Sequence, residues 1–536
     1  MRGADLVVRT LANAGTRVIF SLSGNQIMPV YDACIDHGIK LVHTRHEAAA
    51  VFMADAYAQL TGKPGVALVT AAPGFANSVG ALFTARQSES PVLLLSGDSP
   101  VSQDGMGAFQ ELDQVGVSAP MTKLSFRPKE AKQLGQDIAR ALQVTASGRP
   151  GPVHCALPFD LLNEDIGDME APASDRCEAS ETPPDPAAVK AILEALAAAS
   201  RPIMLTGPSF NASRAGALLT ELADAVDTPV VSMESPRGLK DPSLGDIASV
   251  LSQADVIISL GKRLDFTTGF AKPPAVAEKC RLLLVDPEPM VLESSKRAAG
   301  QRLVHASQAD IGATIRALIG AGGKPGKRTA YREEIAAALS QKPGAPGPAA
   351  KAPIHPAHLC ASIQRVLDKA SDPILIIDGG EFGQWAQACL SAKTRLINGP
   401  SGAIGGTLCY AAAAKAARPE ATVVVIMGDG TAGFHFAEFE TAHRNNLPFV
   451  AVIGNDARWN AEYQIQLRDY GENRTYACEL NPTRYDQAAT GLGGHGEHVS
   501  EAGEIDAVLE RALQSGVPAC VNVTIEGVPA PAGPSH

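Results

Sequence analysis

Val423-Val424-Val425-Ile426-Met427-Gly428-Asp429-Gly430-Thr431 decides how this chain is read. The apolar run has the length and β-branching of a buried strand, and it ends in an acid held between two glycines. A second run, Phe449-Val450-Ala451-Val452-Ile453, ends in the same manner in Gly454-Asn455-Asp456. Between them Phe436, Phe439 and Ala442 recur at helical spacing beside Glu438, Glu440, His443 and Arg444. A strand-helix-strand unit makes neighbouring parallel strands and brings both carboxyl-end loops to one edge, where open α/β sheets bind ligands. Asp429 and Asp456 are therefore expected to meet. Gly428 and Gly430 let an anion approach the backbone, and Thr431 can cap the helix that follows, whose N–H groups would face a phosphate. Two carboxylates beside a phosphate repel it unless a cation lies between, and oxygen ligands suit a hard divalent ion, magnesium above all. Read alone, Gly-Asp-Gly is also an ordinary strand-to-helix turn.

At 536 residues with 45% hydrophobic content, the chain can build cores for three domains. The formal net charge of −11 argues against nucleic acid and anionic membrane as partners, and leaves a small-molecule substrate. Nine scattered cysteines without a Cys-x-x-Cys pair point to neither a zinc site nor a disulfide framework, which fits a reducing cytoplasm. The first residues are too polar for a signal sequence, and no apolar run reaches membrane-spanning length.

Residues 1–168 read as alternating helices (Asp5–Ala14, Met28–Asp36, from Glu47, Asn77–Gln87) and strands (Arg17–Phe20, Lys40–Val42, Val66–Thr70, Val92–Ser96). A proline-rich stretch, Glu170–Ala187, predicts a linker into a second α/β region, 188–322, with strands Ile203–Thr206, Val230–Met233, Val256–Leu260 and Leu282–Val285. No Gly-x-Gly-x-x-Gly follows its first strand, so a dinucleotide fingerprint is absent. The Pro/Gly/Ala-rich stretch 341–356 is the clearest linker and leads into a third domain, 356–530. The fold class is α/β: three domains, each a mostly parallel sheet flanked by helices, with the first and third sharing one architecture.

The paired motif is more specific than either half. Gly-Asp-Gly, the 24 residues 431–454, then Asn455-Asp456 resembles the signature of thiamine diphosphate enzymes, which carry Asn at the last position. The resemblance spans nearly the whole chain, in the domain order of acetolactate synthases, benzaldehyde lyases, oxalyl-CoA decarboxylases and 2-hydroxyacyl-CoA lyases. It implies a pyrimidine-binding domain, a central domain and a diphosphate-binding domain. Magnesium would be held by Asp429, Asp456 and the carbonyl of Arg458. Asp456 keeps an oxygen ligand but adds a charge.

Other segments then take implied roles. Arg45-His46-Glu47 opens an apolar helix, where a carboxyl loses solvation while the helix dipole favours its charge; locally it also reads as a first-turn acid. The resemblance makes Glu47 the group that hydrogen-bonds N1′ of the cofactor's aminopyrimidine, a task for a carboxyl able to share its proton. Ala72-Pro73-Gly74-Phe75-Ala76-Asn77 resembles the turn beside the pyrimidine, with Ala72 in place of a glycine, and makes Pro73 and Asn77 cofactor contacts. Phe109-Gln110-Glu111 makes Gln110 the amide that orients a substrate carbonyl or carboxylate. Gly379, Gly380, Glu381 and Phe382 match the diphosphate turn, and Gly402 and Ile404 the loop whose apolar wedge holds the cofactor bent, a form of catalysis by proximity. Asn25, Gln26, Trp459, Glu462 and Gln464 are candidate substrate contacts. His43, His435 and His443 match no functional position.

The activity implied is a C–C lyase, decarboxylase or carboligase working through a C2-carbanion/enamine on a 2-oxo acid, acetolactate synthase-like. The alternatives are a 2-hydroxyacyl-CoA lyase or oxalyl-CoA decarboxylase and, in another class, a non-catalytic cofactor-binding sensor or scaffold. Ser235–Asp255 is shorter than the segment that contacts flavin in acetolactate synthases, which argues against FAD. ADP or CoA stays open, with Lys262 and Arg263 as the residues CoA would protect. A homodimer is the implied minimum, with a homotetramer expected.

Overall fold

The computed structural model describes residues 1–322, 328–342 and 353–531. The first domain is a sheet of β1 (Val18–Ser21), β2 (Lys40–His43), β3 (Gly65–Val69), β4 (Val92–Asp98), β5 (Leu124–Phe126) and β6 (Val153–Pro158), in the order β2-β1-β3-β4-β6-β5. The central sheet holds β7 (Pro202–Thr206), β8 (Val230–Ser232), β9 (Val256–Leu260), β10 (Arg281–Asp286) and β11 (Leu303–Gln308), in the order β11-β10-β9-β7-β8. The third holds β12 (Pro373–Ile377), β13 (Thr394–Ile397), β14 (Thr422–Gly428), β15 (Val450–Asn455), β16 (His495–Val499) and β17 (Ala519–Thr524), in the order β13-β12-β14-β15-β17-β16. Relabelled from its own first strand, the third sheet has the strand order of the first. All pairings are parallel.

A parallel sheet covered on both faces needs strands that are apolar throughout. In β14, Val423, Val425 and Met427 enter one core while Val424 and Ile426 enter the core on the opposite face. The first of those cores is shared between domains. The alanine-rich helix Glu47–Thr61 packs on the equally alanine-rich Thr407–Ala417, where small side chains let two helices approach closely. Asp55 is fully buried in this contact and accepts from Gln59 Nε2 (2.9 Å) and from the Tyr410 hydroxyl. Burial pushes both the Asp55 carboxyl and the Tyr410 hydroxyl up.

Several strands escape the apolar-run criterion. β5 has three residues at an edge, β6 carries a buried His154 as its second residue, and β11 and β16 are half-exposed and polar. Their pairing comes from neighbouring strands and not from their own pattern. The stretch Glu170–Ala187 is no free linker: Cys177 is buried in the first domain's core and the next helix begins at Pro186. Of the stretch 341–356, residues 343–352 lie outside the described residues. No helix among the described residues is long and apolar enough to cross a membrane.

Candidate active site

In the third sheet Gly428 of β14 pairs with Gly454 of β15, so Asp429 and Asp456 leave neighbouring strands at the same edge. With the carboxyl end of β12, the glycine loop after β13 and residues 236–237 of the central domain, they form a cleft of about 380 Å³. Asp429 is almost wholly buried, and among the described residues its Oδ2 has no hydrogen-bond partner. Burial, and then the facing Asp456, push the Asp429 carboxyl up to about 7. Burial pushes Asp456 up to about 6, against the opposing charge of Arg458. A buried acceptor aimed at a second carboxylate is unfavourable unless a cation completes it. The donor set of this chain therefore fits a hard divalent ion.

The turn after β14 differs from expectation. Asp429–Ala432 makes a single helical turn with Gly428 at its N-cap, and the longer helix begins only at Glu438. Thr431 is not a cap: its hydroxyl donates back to the Gly428 carbonyl (3.1 Å). Gly430 is required by close approach, since a Cβ there would lie 2.7 Å from the Trp459 ring. Trp459 and Glu462 line the cleft, as do Arg458 and Thr431. Gln464 does not; its Nε2 donates to Asn460 Oδ1 (3.0 Å) and to the Gly527 carbonyl (3.2 Å), tying the helix Asn460–Tyr470 to the C-terminal segment.

Across the cleft, Gly379, Gly380, Glu381 and Phe382 start the helix Gly380–Cys389. Gly380 has φ +82°, and a Cβ on Gly379 would lie 2.7 Å from Ile404 Cγ2. Glu381 faces Arg237 and accepts from Ala530 N (2.5 Å) and Gln384 Nε2 (2.9 Å). Gly402 and Ile404 also line the cleft. The organiser of both loops is Asp378, which is fully buried and accepts from Gly379 N (2.7 Å), Gly405 N (3.1 Å) and the Thr407 hydroxyl (2.6 Å). The role of Asp378 in joining both loops was not legible in the sequence. Neither was Arg237, because it arrives from another domain.

The first-domain residues gather separately. His46 caps the helix Glu47–Thr61 through Nδ1, which accepts from Ala48 N (3.1 Å), and Asn77 Nδ2 donates to Glu47 Oε2 (3.0 Å). Pro73 opens the adjacent helix, Pro73–Gln87. Gln26 Nε2 donates to Gln110 Oε1 (2.8 Å), and Gln26 Oε1 accepts from the Thr70 hydroxyl (2.8 Å). Asn25 begins the short 3₁₀ turn Asn25–Ile27 and has no hydrogen bond to either amide. Gln110 sits at φ +60°, held there as the Glu111 carboxylate accepts from Gly105 N (2.6 Å), Gly107 N (2.9 Å) and Ala108 N (3.1 Å). None of the residues lining the cleft comes from the first domain.

Lys262 does not face solvent as a CoA contact would need. It is buried and its Nζ donates to the Thr267 hydroxyl (2.6 Å), while Arg263 faces Glu288 at 3.5 Å.

Ala72 has φ +42° and ψ −93°, a sparsely populated backbone region that costs a residue with a Cβ about 1–3 kcal/mol. Ala72→Gly is expected to raise the denaturation midpoint, with a gain of about 1 kcal/mol in a urea titration. A lowered midpoint would mean that the alanine side chain packs usefully there.

Three stretches of the chain match models of one family. Residues 1–117 match the N-terminal TPP binding domain of thiamine pyrophosphate enzymes, residues 189–318 their central domain, and residues 378–523 their C-terminal TPP binding domain. The chain is 34% identical over 538 residues to an acetolactate synthase large subunit (IlvG) of Mycobacterium tuberculosis, covering 98% of this chain and 95% of that protein. It is 30% identical over 583 residues to 2-hydroxyacyl-CoA lyase 2 of Homo sapiens, covering 98% and 90%. A probable acetolactate synthase large subunit of Methanocaldococcus jannaschii is 27% identical over 550 residues, covering 98% and 92%.

Proposed function

The chain belongs to the thiamine pyrophosphate enzyme family, and from that premise we propose that it is an acetolactate synthase-like enzyme acting on a 2-oxo acid with magnesium as its second cofactor. It is a thiamine diphosphate-dependent enzyme of the lyase or transferase type. Bound thiamine diphosphate supplies a nucleophilic carbon and an electron sink, and the protein supplies position, proton transfer and charge.

The observation that carries the reading is the unpartnered Oδ2 of Asp429 facing Asp456. These two carboxylates and the Arg458 carbonyl would hold Mg²⁺. Among the described residues no third His, Cys, Asp or Glu joins them, which favours a backbone ligand. Gly379, Gly380 and Gly402 leave room for the diphosphate, Phe382 and Ile404 wall the apolar side, and Glu381 balances Arg237. Glu47 moves a proton at the pyrimidine N1′, with Asn77 fixing its carboxylate. Gln110, oriented by Gln26, presents its amide to the substrate carboxylate, and Trp459 and Glu462 border the substrate space.

Glu47 lies outside the cleft of its own chain, so this reading requires a second copy, with each first domain serving the partner's third domain. A homodimer is the minimum and a tetramer is expected. The buried, occupied Lys262 weighs against the CoA alternative, and a cytoplasmic setting fits the free cysteines. The test incubates the purified protein with thiamine diphosphate, Mg²⁺ and either pyruvate or a 2-hydroxyacyl-CoA. Release of CO₂ with acetolactate formation supports the proposal. Cleavage of the CoA substrate alone would replace it with the lyase reading.

A further inference from the structure

The segment leading into Glu47 is gripped by the third domain of its own chain. The helix Glu438–Arg444 is hydrogen-bonded to the backbone of residues 43 and 45. Glu438 Oε1 accepts from the backbone N–H of Arg45 (3.0 Å), and Arg444 Nη2 donates to the His43 carbonyl (2.7 Å). Arg444 is itself held by Glu440 (2.8 Å), whose second oxygen lies 3.8 Å from the Arg45 guanidinium. The rings of His46 and His435 meet edge-on with centroids 5.6 Å apart, and His435 Nδ1 lies 2.9 Å from the Gly405 carbonyl. Glu438 is buried, and among the described residues its Oε2 has no hydrogen-bond partner, which costs stability unless the carboxylate serves another purpose.

We propose that Glu438 and Arg444 are positioning residues for Glu47: they fix the backbone of residues 43–46, and through it the direction in which the helix presents the Glu47 carboxylate. The proposal rests on the reading that Glu47 exchanges a proton with the cofactor. Proton transfer needs its partners at hydrogen-bond distance, and a displacement of about 1 Å can cost on the order of a hundredfold.

Burial pushes the Glu438 carboxyl up to about 7. The groups facing it are Thr441 and Arg444 on its own helix, the Arg45 and His46 backbone N–H groups, and Cys409 from the helix Thr407–Ala417. Protonation removes the charge that strengthens the bond to Arg45 N–H, so the grip tightens as pH rises through about 7 and loosens below it.

The test uses the full chain in two forms. Without cofactor and above pH 7, protection from backbone hydrogen exchange over residues 43–50 is expected to fall several-fold in Glu438→Ala and Arg444→Gln, and in Glu438→Gln, which keeps an acceptor oxygen but not the charge, to fall only to the level the wild type shows below pH 7. With thiamine diphosphate and Mg²⁺ bound, deuterium exchange at the cofactor's C2 is expected to slow about tenfold in the first two variants at unchanged cofactor affinity. Glu438→Gln is expected to lose the step near pH 7 in the C2 exchange profile. Arg444 is partly exposed, so its variant keeps the test informative if Glu438→Ala does not fold. Wild-type exchange over 43–50 and at C2 in Arg444→Gln and Glu438→Ala overturns the proposal while Glu47→Gln stays defective. Wild-type C2 exchange in Glu47→Gln overturns the parent reading, and the positioning role with it.

Discussion

Glu47→Gln is expected to lower turnover by about 10²–10⁴-fold while leaving thiamine diphosphate and Mg²⁺ affinity within a small factor of wild type. The separation follows from geometry. Every residue assigned to holding the diphosphate and cation lines the third-domain cleft, and Glu47 does not. Folding is not at stake, because glutamine keeps an oxygen for the Asn77 amide, and among the described residues the carboxylate makes no ion pair that its loss would leave unpaired. What the substitution removes is the ability to give and take a proton at N1′. Deuterium exchange at the cofactor's C2, followed by quench and NMR, isolates this step from substrate binding. A fall in parallel with turnover assigns the proton transfer to Glu47. Retained turnover would sink the assignment and promote the reading of a cofactor-binding scaffold.

Asp429→Asn is expected to weaken Mg²⁺-dependent binding of thiamine diphosphate by at least about a hundredfold, more than typically follows from disturbing a group behind a metal ligand. In the protein without cofactor the sign reverses. Asp429 is a buried carboxylate facing another, and both are pushed up by burial. A neutral amide removes that repulsion and can donate to Asp456, so the cofactor-free variant should melt at or above the wild-type temperature. A variant more stable when empty and unable to be stabilised by cofactor plus metal is the expected pattern, read by thermal melts with and without ligands. Equal destabilisation in both states would mean that Asp429 serves the fold. Asp456→Asn is the internal control: it keeps an oxygen ligand and carries the residue the family usually has, so binding is expected to survive.

Much of this was legible in the chain itself. Two apolar runs, each ending in glycine and an acid, made Asp429 and Asp456 neighbours, because parallel strands joined by one helix leave their sheet at the same edge, and the register of Gly428 with Gly454 bears this out. The helices from Met28 and Glu47 begin where the pattern puts them. Local rules failed where a side chain finds a partner that strand or helix periodicity does not name. Thr431 turns its hydroxyl to Gly428 and caps nothing, because the helix it was to begin is a single turn. Gln464 is occupied by Gly527, far along the chain, and Lys262 by Thr267.

The sequence by itself thus determined three parallel-sheet domains, the cofactor family and the acids that face one another, since strand periodicity, glycine placement and motif interval are properties of neighbours along the chain. Only the tertiary structure decided that Arg237 of the central domain borders the cleft, that Asp378 knits two glycine loops, and that Glu438 and Arg444 hold residues 43–46. Those contacts join residues whose separation in sequence carries no periodicity, and packing alone brings them within hydrogen-bond reach.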